Sequence, residues 1–305
     1  MSGALCLQAR QNPVMCRPDR RKYMCPSLNL TAEDEKKLLS CRSLLPLKSS
    51  KSIQNQQQKP LYLFLLAPPL SGSSSLFSMI STSPRVTNLC AAGTWQCEGS
   101  HLIMHEHEIE RKNPHQEFWQ TGVLNWTEVL QEYEKVWSQG PEGAYIRVDK
   151  SPPNIAKIPE IAEHFATDKS QVAFIVMSRS PCTITRMSWE KRKHFMKMLT
   201  DGLEVLHKGY RLLELKYEDL LTNPCGTAKN ILEFLPELES LNPGTPGYRE
   251  PTYETLTTAR GASIIDYALD AARHKKIIST RHHSIGEDSF QLAKLLGYQD
   301  FERVC

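Results

Sequence analysis

Four short segments of the chain carry the pattern of buried strands. Residues 61–67 are apolar throughout and lie between two prolines, which is typical of a strand buried on both faces of a parallel sheet. The segments at about 144–148, 172–177 and 211–216 have a similar strand signal. These patterns predict a sheet whose first strand is 61–67.

Helical patterns separate these strands. In residues 127–137, the side chains of Leu130, Tyr133 and Trp137 fall on one helical face, which indicates packing against a core. An asparagine cap followed by Pro224 marks another helix start. The remaining predicted helices lie near 76–80, 154–165, 185–209, 262–278 and 287–296, the last closed by Gly297.

Strands and helices that alternate along a chain are typical of an α/β protein with a parallel sheet. We expect a three-layer α/β domain in which helices cover both faces of a mostly parallel central sheet of about four or five strands. A chain of 305 residues, 40% of them hydrophobic, has enough apolar material for one such core.

The beginning of the chain differs in charge from the rest. Residues 1–59 hold 11 Lys and Arg against 4 Asp and Glu, whereas residues 60–305 hold 26 against 30. Thr31 and the acidic residues after it predict one capped helix, and the Gln-rich stretch 48–59 predicts a linker. We therefore divide the chain into a basic, largely irregular head and linker at 1–59 and an α/β domain at 60–305. A basic transit segment within 1–30 is an alternative to a disordered tail.

Charge and hydropathy exclude two classes of partner. The net charge is only +3, and no Lys/Arg run is interleaved with aromatic residues, which argues against nucleic acid binding. The longest apolar run, 61–70, is shorter than the roughly 20 residues that a membrane span needs. We expect neither a nucleic acid partner nor a membrane span.

The nine cysteines show no spacing typical of a zinc site or a C-x-x-C motif. Four of them, Cys6, Cys16, Cys25 and Cys41, lie in the head. We interpret the cysteines as free thiols in a reducing compartment and expect a cytoplasmic location. The transit-segment alternative would place the protein in an organelle.

The connection between the first strand and its helix is rich in serine and glycine. Residues 68–75 have the sequence P-P-L-S-G-S-S-S. Small residues let backbone N–H groups approach an anion, a helix N-terminus attracts negative charge, and hydroxyls add donors. The segment therefore predicts a phosphate or sulfate cradle. It is not a Walker A loop, because the G-x-x-x-x-G-K-[ST] spacing is absent and no Lys follows Gly72.

Four motifs follow one another along the chain: P-L-S-G-S-S at 69–74, D-K-S-P-P-N at 149–154, R-S-P at 179–181 directly after a strand, and Y-E-D-L at 217–220. In this order they resemble the sulfotransferase family. Its donor loop has the form P-[KR]-S-G-[ST]-[ST], and its carbohydrate-type branch has an E-K-[ST]-P segment. An R-x-P after a strand and a later Y-E-D-L segment are also typical of the family. The resemblance covers roughly 61–240.

This resemblance implies a P-loop-like nucleotide-binding fold and transfer of a sulfuryl group from PAPS (3′-phosphoadenosine 5′-phosphosulfate) to a hydroxyl or amine, without a metal. It implies that Arg179 and Ser188 bind the donor's 3′-phosphate, although many members have the serine one residue earlier, where Met187 stands here. Arg186 is a nearby substitute. The residues implied to hold the 5′-phosphosulfate are Pro69, Leu70, Ser71, Gly72, Ser73, Ser74 and Ser75.

Leu70 departs from the family pattern. In the family, a Lys or Arg at this position neutralises the bridging oxygen of the leaving group. Sulfuryl transfer needs in-line positioning and cations around the developing charge, so another cation must replace it. We predict Lys150, because it follows a predicted strand and so lies at the carboxyl end of the sheet, where α/β proteins bind ligands. A solvated surface lysine is the alternative.

An acceptor that loses a proton requires a general base. Glu98 lies after the donor loop, where the resemblance to the carbohydrate-type branch places a catalytic Glu, and a surface carboxylate is the alternative. Cytosolic sulfotransferases use a His, so His101, His105 and His107 compete with Glu98. The alternating His and Glu residues here are more typical of a solvated stretch than of a metal site, and we predict no metal.

The leading hypothesis is a PAPS-dependent sulfotransferase with a small-molecule or carbohydrate acceptor. Leu70 favours an alternative, a catalytically silent homologue that binds a 3′-phosphonucleotide or a partner protein. A nucleotide kinase or NTP hydrolase is the third hypothesis, and the missing Walker lysine counts against it.

Overall fold

Ten strands are present in the computed structural model of the protein. In chain order they are β1 (Lys22–Met24), β2 (Leu47–Lys48), β3 (Leu61–Leu66), β4 (Val86–Asn88), β5 (Ile146–Asp149), β6 (Val172–Ser178), β7 (Arg211–Lys216), β8 (Ser240–Leu241), β9 (Ser284–Gly286) and β10 (Glu302–Val304). This count refers to the residues that the structure describes, which are 22–24, 30–50, 59–92, 97–106, 123–180, 189–245, 264–265, 268–269, 284–298 and 302–304.

Helices connect the strands, and most of them match the predicted ones. They are α1 (Ala32–Ser43), α2 (Ser73–Ile80), α3 (Gly99–Glu106), α4 (Trp126–Trp137), α5 (Ile158–His164), α6 (Trp189–Leu206), α7 (Tyr217–Thr222), α8 (Pro224–Phe234) and α9 (Glu287–Leu295). The helix predicted at 154–165 begins as a 3₁₀ turn at Pro152–Ala156 and continues as α5. The helix predicted at 262–278 falls largely outside the described residues.

Five strands form the central sheet in the order β4-β5-β3-β6-β7, and every neighbouring pair is parallel. The prediction of a mostly parallel sheet of four or five strands is confirmed. Strand β4 was absent from the predicted set, because its three residues are too few to show a pattern. Two small antiparallel sheets, β2-β8 and β10-β1-β9, accompany the central one.

Side chains of β3 alternate between two separate cores. Leu63 and Leu65 pack into the first core with residues of α1, α2, α7 and α8. Phe64 and Leu66 pack into the second core with residues of α4, α5, α6 and α9. Each such buried side chain contributes about 1.5–3 kcal/mol of hydrophobic stabilisation. The sheet is therefore covered by helices on both faces, as the continuous apolar run at 61–67 predicted.

The chain changes direction across the sheet at β3. From β3 it runs to β4 and β5 on one side, and then crosses to β6 and β7 on the other. The loops that leave β3 and β6 therefore diverge at the carboxyl ends of these adjacent strands. In open α/β sheets, such a topological switch point is the usual place for a ligand.

Helix α1 joins part of the head to the body. It begins with the predicted cap, a capping box in which Thr31 and Asp34 bond to each other's backbone N–H groups. Leu38 and Cys41 are buried, and Cys41 forms a disulfide with Cys225 of α8.

A second disulfide joins Cys90 and Cys97. The interpretation of the cysteines as free thiols is therefore wrong for these two pairs. The residues of the first pair are 184 positions apart, so only the tertiary structure brings them together. Cys6, Cys16 and Cys25 lie outside the described residues.

Within the part of the chain that the structure describes, no helix is long and apolar enough to cross a bilayer.

The length of the chain segment that each disulfide closes predicts its contribution to stability. Replacing both Cys41 and Cys225 by Ser should lower the free energy of unfolding by about 2–5 kcal/mol, because the unfolded chain regains the freedom of a long loop. The control is the Cys90→Ser/Cys97→Ser variant, whose loop spans a separation of only 7 and should give a smaller loss. Urea unfolding measures both losses, and an equal or larger loss in the control would contradict the prediction.

Candidate functional site

The loop after β3 has the features of an anion cradle. Ser71 N–H donates to the Pro68 carbonyl at 3.1 Å, which closes a tight turn. Gly72 follows in the left-handed region, with φ 87°, and is the N-cap of α2 without a side-chain cap among the described residues. The first N–H groups of a helix have no intrahelical acceptors and attract anions. The Ser71 hydroxyl is fully buried and also has no hydrogen-bond partner among the described residues.

Tyr217 fixes the cradle against the end of β7. A Cβ added to Gly72 would lie 2.3 Å from the Tyr217 ring, so only glycine allows this close approach. The Arg179 guanidinium carbon lies 4.4 Å from the centre of the same ring, and its Nη1 donates to the Leu70 carbonyl at 2.9 Å. The Arg179 side chain therefore crosses the switch point between β3 and β6 and contacts the cradle loop.

Glu98 and Lys150 form a buried ion pair at the same edge of the sheet. The Lys150 Nζ lies 2.8 Å from Glu98 Oε1, and the side chains are only 1% and 9% exposed, respectively. His101 Nε2 lies 3.5 Å from the other carboxylate oxygen of Glu98. Lys150 follows β5, the neighbour of β3, and its Nζ is 6.0 Å from the ring centre of Phe77 in α2. The surface alternatives for Lys150 and Glu98 are therefore wrong.

Asp149 anchors the start of α3 next to this pair. Its Oδ1 accepts hydrogen bonds from Gly99 N–H at 3.2 Å and from the Ser151 hydroxyl at 2.7 Å, and its Oδ2 accepts from Asn154 at 2.7 Å. The Ser151 oxygen in turn accepts from Ser100 N–H at 3.0 Å. Burial raises the pKa of Asp149, while these three donors oppose the rise.

A third carboxylate, Glu218, positions the loop that carries Arg179. Glu218 Oε1 accepts from Ser180 N–H at 3.0 Å, and Glu218 Oε2 accepts from the Tyr298 hydroxyl at 2.9 Å. Burial, together with the nearby Glu218 charge, raises the pKa of Tyr298, so this hydroxyl stays a hydrogen-bond donor. The segment after α9 thereby holds the loop that leaves β6.

The predicted site residues that the structure describes lie at one edge of the central sheet. The cradle residues 69–75, Lys150 and Arg179 all follow strands of the central sheet at their carboxyl ends, and Glu98 and His101 lie beside Lys150. Leu70 is 48% exposed, with φ 65°. Ser188, Met187, Arg186 and His107 lie outside the described residues, and so does the side chain of His105.

The sequence predicted no role for several residues of the site. Tyr217, Glu218 and Asp149 lie in quoted motifs, but no role was predicted for them. They lie directly after β7 or at the end of β5, at the same edge of the sheet. This position at a strand end could have identified them as candidate site residues. The contact of Tyr298 with Glu218 joins positions 80 residues apart and had no sequence signal.

The arrangement combines two chemical capabilities. Hydroxyl and backbone donors at the end of β3, with Arg179 beside them, can hold a phosphate or sulfate. A carboxylate and an ammonium group at the end of the adjacent β5 can accept a proton and balance negative charge. Searches against known proteins returned no matching family model and no matching curated protein.

The buried ion pair predicts a specific pattern of stability. Lys150→Met should lower the free energy of unfolding by about 3–5 kcal/mol, because Glu98 would be left buried without its counter-charge. The double variant Glu98→Gln/Lys150→Met should recover most of this loss, since no uncompensated charge remains. Denaturant unfolding of the two variants measures the difference.

The matched control for this experiment is Lys135→Met, which removes the ammonium group of an exposed pair with Glu132. Its effect should stay within about 1 kcal/mol. If Lys150→Met also lowered the free energy of unfolding by no more than about 1 kcal/mol, the buried pair would not depend on mutual neutralisation of its charges.

Proposed function

We propose that the protein is a PAPS-dependent sulfotransferase that transfers a sulfuryl group to a hydroxyl or amine of a small-molecule or carbohydrate acceptor. The observation that carries the proposal is the Glu98–Lys150 pair, which lies one strand away from a helix N-terminus where the buried Ser71 hydroxyl has no hydrogen-bond partner in the part of the chain that the structure describes. The proposal combines this geometry with the motif resemblance.

The donor's anionic groups fit the residues present. Ser71 needs a hydrogen-bond partner, and the first amides of α2 favour a negative group, so the cradle suits the 5′-phosphosulfate. The Arg179 guanidinium, held across the switch point, suits the 3′-phosphate because its planar fork can bond two oxygens. A P-loop-like donor fold is part of the same proposal.

The proposed reaction uses Glu98 and Lys150 in complementary roles. The acceptor oxygen or nitrogen attacks the sulfur of PAPS in line with the bridging S–O bond, which breaks and leaves 3′,5′-ADP. Glu98 takes the proton that the acceptor loses and later releases it to water. Lys150 balances the negative charge that develops on the leaving group, in place of the charge that Leu70 lacks. No metal is required by these steps.

The disulfides bear on where this reaction takes place. Disulfides form and persist in oxidising compartments and are rare in the cytosol. Cys41–Cys225 and Cys90–Cys97 therefore favour an oxidising compartment over the cytoplasm that the sequence suggested. The donor and a carbohydrate acceptor would then have to be present in that compartment.

Nucleotide binding tests the donor assignment. We expect 3′,5′-ADP to raise the melting temperature more than 5′-ADP does, because Arg179 contacts the additional phosphate and a ligand of the folded state stabilises it. Arg179→Ala should abolish this preference, whereas Arg42→Ala in the head is a control that should keep it. Equal stabilisation of the wild type by both nucleotides, measured by differential scanning fluorimetry, would contradict the assignment.

Transfer of labelled sulfate from PAPS to a panel of hydroxyl and amine acceptors tests the chemistry. Glu98→Gln should lower kcat by about 10²-fold or more while the affinity for 3′,5′-ADP is kept, because the amide cannot take the proton but its oxygen can still accept a hydrogen bond from Lys150. Glu132→Gln, which changes a partly exposed carboxylate on α4, is the matched control. A larger loss of kcat in His101→Ala than in Glu98→Gln would assign the base to His101 instead.

The silent homologue remains the second candidate. In its favour, Lys150 is engaged by Glu98, and the position of the family's loop cation is occupied by an exposed leucine. The acceptor screen separates the two functions. Normal 3′,5′-ADP binding without transfer by the wild type, together with activity created by Leu70→Lys alone, would support the silent homologue and overturn the enzyme.

A further inference from the structure

Glu98 is covalently restrained on its N-terminal side. The preceding residue, Cys97, is bonded to Cys90 and is fully buried. Its φ of 59° lies in the left-handed region, which is uncommon for a residue with a side chain and persists only where the surroundings impose it. The disulfide is therefore one of the restraints that fix the direction in which the chain enters Glu98.

Glu98 is also restrained on its C-terminal side. The N–H groups of Gly99 and Ser100 donate to Asp149 Oδ1 and to Ser151 Oγ, so the two residues that follow Glu98 are tied to the end of β5. Lys150 lies between these two acceptors in the sequence. The side chains of the two residues that flank Lys150 thus hold the backbone that follows Glu98, and the Lys150 and Glu98 side chains meet at 2.8 Å.

Packing leaves little room for this backbone to move. A Cβ added to Gly99 would lie 2.3 Å from the Tyr133 ring and 2.8 Å from Leu89 Cδ1. Tyr133 itself is fully buried on α4. Gly99 is therefore the residue that allows α3 to begin against α4, and a shift of Glu98 toward α4 is blocked.

We propose that the Cys90–Cys97 disulfide and Asp149 are positioning elements that hold the Glu98 carboxylate against Lys150 for proton transfer. This inference rests on the proposed function. The two act from opposite sides of one residue: the disulfide fixes the chain before Glu98, and Asp149 fixes the chain after it. The hydrogen bonds of Asp149 and the Cys90–Cys97 bond join residues outside the cradle segment 69–75, so we expect donor binding to change little when either is removed.

The expected signature is a loss of turnover without a loss of donor affinity. A displacement of about 1 Å in a catalytic group can lower the rate by about 10²-fold. Cys90→Ser/Cys97→Ser should therefore lower kcat about 10- to 100-fold and leave the Kd for 3′,5′-ADP within about twofold. The Cys41→Ser/Cys225→Ser variant is the matched control, because it removes a disulfide that does not involve the residue next to Glu98, and it should keep kcat.

Conservative replacement distinguishes positioning by Asp149 from a purely structural role. Asp149→Asn keeps an oxygen that can accept from Gly99, and rotation of the Asn154 amide can satisfy its new N–H₂ group. Asp149→Ala leaves buried donors without an acceptor. We expect Asp149→Asn to keep most of kcat and Asp149→Ala to lose it, with the 3′,5′-ADP Kd kept in both.

Hydrogen exchange provides a readout that needs no catalysis. The Gly99 and Ser100 amides should exchange slowly in the full-length wild type and in Cys41→Ser/Cys225→Ser. They should exchange at least about tenfold faster in Cys90→Ser/Cys97→Ser and in Asp149→Ala if these variants release the start of α3. Unchanged exchange in both variants would overturn the inference even if the wild type is active.

The outcomes also separate this inference from the proposed function. A wild type that binds 3′,5′-ADP but transfers nothing would overturn the proposed function, while faster exchange in the two variants would still support the restraint on Glu98. An active wild type whose Cys90→Ser/Cys97→Ser variant turns over at the same rate would overturn the positioning role and leave the sulfotransferase proposal intact.

Discussion

Burial of β3 on both faces is the constraint that sets the position of everything else at the candidate site. Leu63 and Leu65 fill one core and Phe64 and Leu66 the other, so charged groups have no place along residues 63–66 of this strand. They can follow it only where it ends. Because the strands of the sheet are parallel, the loops after β3, β5, β6 and β7 leave from one edge. The cradle, the ion pair and the Arg179 loop therefore lie on neighbouring strand ends.

The second requirement is charge neutrality inside the protein. Glu98 and Lys150 are both removed from water, and each is tolerable only because the other compensates its charge. This dependence links the start of α3 to the end of β5, so the ion pair is part of what holds these two elements together. It also means that a bound anion would compete with Glu98 for the same ammonium group. For the proposed reaction, the proton acceptor and the charge that balances the leaving group are thus in contact before any substrate arrives.

The two disulfides act at different scales. Cys41–Cys225 links α1 to α8 and reduces the freedom of most of the unfolded chain. Cys90–Cys97 closes a short segment and acts locally, on the direction of the chain at Glu98. Helix α1 of the head therefore packs with the sheet in one structure. Leu38 lies in the first core, and Cys41 is covalently bonded to Cys225.

The sequence alone determined the elements whose signals are local. The apolar run at 61–67 predicted a doubly buried strand, and the caps at Thr31 and Asn223 predicted two helix starts, because hydrophobic period and capping depend on residues a few positions apart. It also singled out the serine-rich turn and Lys150 as candidates. Only the tertiary structure decided which candidates meet. The contacts of Lys150 with Glu98 and of Cys41 with Cys225 join positions 52 and 184 residues apart, and no local pattern encodes such distances. Chain folding brings these residues together because the sheet must be buried and each buried charge must find its partner.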